Sequence, residues 1–141
     1  MVQTLKVAVG DHKGKMQLTG MGHTAAKVAI DYPPPMGEDQ GFTSLELLMV
    51  SLASCSSHSI QYVMSTMGMK VEDIRAEAVG QRRVDQHPTV VTSIALKYLI
   101  KGSELQKAKV EEAIRMAEEK YCPVWAMLKP ATAITWKVEV S

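Results

Sequence analysis

The chain has 141 residues, with 16 lysines and arginines against 15 aspartates and glutamates, a formal net charge of +1. That balance gives no electrostatic attraction to nucleic acid or to an anionic membrane, so neither is expected as a partner. The length fits one domain, 1–141, with a core of modest size. The N-terminus MVQTLKVAVG lacks the basic stretch, apolar core and small-residue cleavage site of a signal peptide, and the expected compartment is the cytoplasm. Two cysteines in a reducing compartment are not expected to form a permanent structural disulfide.

Residues 1–30 read as three short N-terminal strands. Leu5, Val7 and Val9 alternate with more polar residues, a turn falls at 10–14, and Met16 and Leu18 resume the alternation. After a second turn holding His23, Ala26, Val28 and Ile30 share a face. An antiparallel meander with one face covered is expected. Residues 31–41, DYPPPMGEDQG, hold three consecutive prolines, which forbid helix, and read as a mobile loop.

Residues 42–69 read as one long central helix. Thr43 and Glu46 have the spacing of a capping box, and Gly68 sits where a helix-ending glycine belongs. Apolar residues fall on every side of it, the pattern of a helix buried in a core or against a partner. The exception is a polar stripe: at about 100° per residue, Ser44, Ser51, Cys55, Ser59 and Tyr62 lie near one line, with His58 beside it.

Residues 71–101 read as a hairpin turning at 85–88, with Ile74, Ala76 and Ala78 on one face of its first strand. Thr92, Ile94, Leu96, Tyr98 and Ile100 share a face of the second. Over 103–128 a second helical region is expected, opened by a Ser103/Gln106 capping box and carrying the apolar stripe Val110, Ile114, Ala117 and Tyr121. Cys122-Pro123 ends that helix or starts a short helical turn over 125–128. The last strand, 132–140, turns Ile134, Trp136, Val138 and Val140 inward. The fold class is α+β, a mostly antiparallel sheet packed on a long buried central helix. So apolar a helix is hard to cover within one thin domain, and an intertwined homodimer would cover it.

The stretch GFTSLELLMVSLASC at 41–55, followed by EKYCPV at 119–124, resembles the OsmC/Ohr family, the osmotically inducible proteins C and organic hydroperoxide resistance proteins. The resemblance spans nearly the whole chain. It implies intertwined α+β homodimers that reduce organic hydroperoxides with two cysteines near the subunit interface. Cys55 matches the family's peroxidatic cysteine and Cys122 its resolving cysteine. In the peroxide-reducing members a glutamate lies ten residues before the reactive cysteine and an arginine comes from the N-terminal strands. Here Leu45 holds the glutamate position, Glu46 follows it, and no arginine precedes Arg75. The pattern is similar to the divergent OsmC-like branch.

The resemblance implies that a Cys55 thiolate becomes a sulfenic acid, that Cys122 condenses with it, and that an external dithiol restores both thiols. No bound cofactor is expected. The helix dipole fades within the first turn and does not reach Cys55. His58 at i+3, with Ser51 and Ser59, is the candidate set for stabilising the thiolate or lining its pocket. Lys120, or Arg82 and Arg83 from a partner subunit, are further candidates. Apolar walls from Leu48, Leu52, Met64 and Trp125 would favour a fatty or aromatic hydroperoxide. The alternative is a non-catalytic protein that binds a small apolar ligand in the same cavity. Acyl transfer through Cys55 is a third reading and needs an oxyanion hole that no motif supplies. A metal site from Cys55, His58 and Cys122 lacks any paired-ligand spacing.

Overall fold

The central helix forms where its end signals put it. The computed structural model describes residues 1–141, Lys13 by its backbone alone, and α1 runs over Ser44–Thr66, slightly inside the expected 42–69. Thr43 N donates to Glu46 Oε2 at 2.8 Å and Glu46 N donates to Thr43 Oγ1 at 3.2 Å, the two reciprocal bonds of a capping box. At the other end Gly68 takes φ +76°, a conformation that costs glycine nothing. Met69 N then reaches Met64 O at 2.9 Å and Gly68 N reaches Ser65 O at 3.1 Å, which closes the helix in a Schellman turn.

The chain divides into two compact units, Met1–Leu48 and Met49–Ser141. In the first, β1 (Ala8–Lys13), β2 (Gln17–Met21) and β3 (Lys27–Ile30) form the expected antiparallel meander. The first turn lies later than the sequence suggested, because β1 carries a register shift between Gly10 and Lys13 and continues through it. The expectation of a covered face is not met in the single chain: Val7 and Val9 are exposed. Alternation decides which residues share a face, not what lies opposite that face.

The loop over 31–41 is tied down rather than mobile. Asp31 is buried, and its carboxylate accepts three backbone N–H groups: Tyr32 at 2.7 Å, Glu38 at 3.1 Å and Gln40 at 3.1 Å. Gly37 passes so close to Asp31 and the Tyr32 carbonyl that a Cβ would collide with both. A parallel bridge between Ile30 and Phe42 brings the two ends together. The result is a closed loop of the Ω type, organised by one carboxylate.

In the second unit, β4 (Asp73–Arg82), β5 (Val91–Lys101) and β6 (Ala133–Val140) form one sheet in that order. The β4–β5 hairpin is antiparallel, while β5 and β6 run parallel. A parallel pair needs a crossover, and the helical residues between the two strands supply it. Ile94, Leu96, Tyr98 and Ile100 point into the core as expected, but Thr92 does not. Gln81 pairs with Ser93 and Arg82 with Val91, so Thr92 is the extra residue of a bulge and Val91 takes the buried place. The crossover starts with α2 (Lys107–Met116), later than expected, with Gln106 at its N-cap and no side-chain cap bond. Ser103 instead donates to Glu72 at 2.8 Å, so the Ser103/Gln106 capping box does not form. The segment then continues as a π-helical turn, Ala117–Tyr121, and as α3, Pro123–Leu128.

The core is built from Leu52, Ile60, Val63 and Met64 of α1, the inward residues of β5, Val110, Ala113 and Ile114 of α2, and Trp125. The central helix is therefore buried along one face only: Leu48 and Val50 remain 37% and 48% exposed.

The Asp31 loop has a defined pH dependence. Burial pushes the carboxyl upward, but the N–H donors of Gln40, Tyr32 and Glu38, with the Gln17 side chain, outweigh it and hold the group below its ordinary 3.8. A depressed acid stabilises the fold above its unfolded value and loses that contribution as pH falls through the folded value. Slow amide exchange at Tyr32, Glu38 and Gln40 should be lost on acidification below 3.8, and Asp31→Asn should abolish it at neutral pH. Unchanged exchange in Asp31→Asn would contradict the assignment.

Candidate thiol site

Cys55 and Cys122 arrive by different local routes. Cys55 sits mid-helix on α1, half-buried, on the side of the polar stripe. Cys122 is placed by the π turn. Its N–H donates to Ala117 O at 2.8 Å, five residues back, where an α-helix would reach four back. The residue before a proline is pushed out of the helical region, and Cys122 duly takes φ −87°, ψ 102°. Pro123 then opens α3, and Cys122 becomes its N-cap, with Sγ accepting the Trp125 N–H at 3.4 Å. The π turn is tied to the sheet by Trp136 Nε1, which donates to Glu118 Oε2 at 3.2 Å, while the Arg115 guanidinium lies 6.0 Å over the same indole.

Cys55 and Cys122 are neighbours in the fold. Burial is the main reason that the Cys122 thiol is pushed up to about 11. The Trp125 and Val124 N–H groups pull the other way, and the neighbouring Cys55 side chain adds to the rise through a hydrogen bond and its charge. Cys122 is only 2% exposed and is a neutral thiol at pH 7. Beside it, Tyr98 is wholly buried on β5, and its hydroxyl donates to Ser56 Oγ at 2.7 Å. Ser56 in turn donates to Ala53 O at 3.2 Å. Burial pushes the phenol up, against the opposing pull of the Ser56 hydrogen bond, and the hydroxyl stays neutral at any ordinary pH.

The remaining sequence candidates are placed less centrally. His58 and Ser51 are exposed on α1, and Ser59 is buried. Lys120 is exposed on the π turn. Arg82 donates to Thr89 O at 2.9 Å and Arg83 to Pro88 O at 2.9 Å, so both guanidinium groups staple the β4–β5 turn. Leu52, Met64 and Trp125, expected as pocket walls, are core residues with no accessible surface, and Leu48 is exposed. Tyr121 leaves the expected apolar stripe, because the π turn rotates it to the surface, where its ring meets Tyr62 edge-on at 5.4 Å. Among the described residues, no group of three or more His, Cys, Asp or Glu could hold a metal ion.

Sequence reading missed the Tyr98–Ser56 pair. The available signal was an inward tyrosine on β5, since a buried phenol needs a hydroxyl partner. Removing one member is not equivalent to removing the other. Tyr98→Phe should cost about 1 kcal/mol, whereas Ser56→Ala leaves a buried O–H unpaired and should cost about 1–3 kcal/mol. The double variant should fall near the milder single one. Denaturant titration checks the order, and equal single costs that simply add would rule out the pairing.

Comparison with known proteins places this architecture. The family model described as OsmC-like protein matches residues 37–137. Protein YhfA of Escherichia coli strain K12 is 28% identical over 123 residues, 87% of this chain and 90% of that protein. A hypothetical protein from Aquifex aeolicus VF5 superposes with a TM-score of 0.82 at 27% identity, over 99% of both chains. An organic hydroperoxide resistance protein OsmC from Legionella pneumophila shares the fold, with a TM-score of 0.76 at 17% identity over 99% of both chains. The family match takes in the capped helix, the hairpin, the π turn and both cysteines, and this chain belongs to the OsmC-like family.

Proposed function

We propose that this protein reduces organic hydroperoxides by thiol chemistry, with Cys55 as the peroxidatic and Cys122 as the resolving cysteine. The observation that supports the reading is that two cysteines far apart in sequence are neighbours in the fold, one half-buried and the other enclosed. The Legionella protein of the same fold is an organic hydroperoxide resistance protein. The Cys55 thiolate attacks a peroxide oxygen, the O–O bond breaks, and the alcohol leaves with a proton, giving a sulfenic acid. The Cys122 thiolate attacks that sulfur, water leaves, and a disulfide forms. An external dithiol then returns both thiols and is itself oxidised.

Two outcomes test the cycle. Cumene hydroperoxide should produce an intramolecular Cys55–Cys122 disulfide in the wild type, seen on non-reducing gels and by peptide mass. In Cys122→Ser it should instead leave a Cys55 sulfenic acid that dimedone traps. Closure of the disulfide should accelerate roughly tenfold per pH unit below the Cys122 value, because only the thiolate attacks. A wild-type protein whose Cys55 stays a free thiol under excess hydroperoxide would refute the cycle.

A second reading, a non-catalytic binder of a small apolar ligand, is favoured by one observation. The hairpin arginines are held on their own turn, and no arginine precedes Arg75 to charge the site. That reading predicts an inert Cys55 and saturable binding of cumyl alcohol. Pairing of two copies belongs to the proposed function too: Leu48 and Val50 on the open side of α1 would be covered by a second chain. Light scattering should then give about twice the 15.5 kDa chain mass.

A further inference from the structure

We infer that the regenerating thiol attacks the disulfide at Cys55 Sγ, and that Cys122 Sγ is always the leaving group. The inference rests on the proposed cycle and adds its direction. Thiol–disulfide exchange needs the attacking sulfur in line with the S–S bond, on the far side of the sulfur attacked. Cys55 is the half-buried sulfur of the two, and a hydroperoxide must already reach it in the proposed cycle. Attack on Cys122 has no comparable access, since Cys122 is 2% exposed and Trp125 and Tyr98 beside it are wholly buried.

Burial raises the Cys122 thiol and slows its departure, so access to the sulfur attacked, and not leaving-group quality, sets the direction. As the S–S bond breaks, its electron pair passes to Cys122 Sγ, which the Trp125 N–H meets at 3.4 Å. The attacking thiol's proton, carried by water, ends on Cys122, where burial holds it firmly at neutral pH. The products are a mixed disulfide on Cys55 and a protonated Cys122, with no net change in the number of S–S bonds. Because a protonated thiol is a poor nucleophile, Cys122 does not expel the newcomer. The second thiol of a dithiol then does so, attacking its own linked sulfur and releasing Cys55.

The test starts from the oxidised wild-type protein and uses reduced glutathione in excess as the probe. Samples are quenched in acid at the shortest accessible times, before any adduct can migrate, and the adduct is located by peptide mass. Glutathione should appear on Cys55 about tenfold or more over Cys122. A predominant Cys122 adduct, or an even split at the earliest time, overturns the inference. If hydroperoxide fails to make the disulfide but diamide makes it, the peroxidase reading falls while the exchange arm still decides the direction of attack. If neither oxidant joins the two cysteines, both fall.

Discussion

One extra residue in a helical turn is the constraint on which the site depends. The π turn over 117–121 puts Cys122 N opposite Ala117 O, where a continuous α-helix would have advanced Cys122 by a further step of about 100°. A proline follows at once, so the chain cannot continue the helix through Cys122 and must open a new one. Cys122 is thereby converted from a helical residue into a cap whose sulfur accepts the Trp125 N–H. Glu118, held by the Trp136 indole, anchors the turn to the sheet.

The two thiols gain different character from that arrangement. Cys122 is enclosed, so its charged form is disfavoured and it reacts only as fast as a small thiolate fraction allows. Cys55 lies partly open on α1. The buried Tyr98–Ser56 bond fixes α1 against β5 one residue from Cys55, and a polar bond in an otherwise apolar layer tolerates little sliding. The difference between a partly open and a shielded sulfur follows from packing.

In the first unit, a buried carboxylate serves geometry. Asp31 gathers three amides that no regular element satisfies, which is how a proline-rich segment becomes ordered without secondary structure. Arg82 and Arg83 are held in the same way, on a hairpin turn.

The sequence by itself determined the elements whose signals are local. The Thr43/Glu46 box, Gly68, the two-residue alternation of β4 and β6, and the proline after Cys122 each act through neighbours a few residues away, and the structure follows them. Membership of the family was legible in the two cysteine-bearing stretches. Tertiary structure decided what those signals could not reach. Ser103 spaces correctly for a cap, yet Glu72 claims its hydroxyl. Thr92 alternates correctly, yet a bulge set by the partner strand turns it out. Ser59 fits the polar stripe by angle, yet the packing of α1 buries it, and the nearness of Cys55 to Cys122 needed a π turn that no periodicity announces. In each case the physical reason is the same: a residue's nearest competitor for a hydrogen bond or a place in the core lies far along the chain, and only folding brings it there.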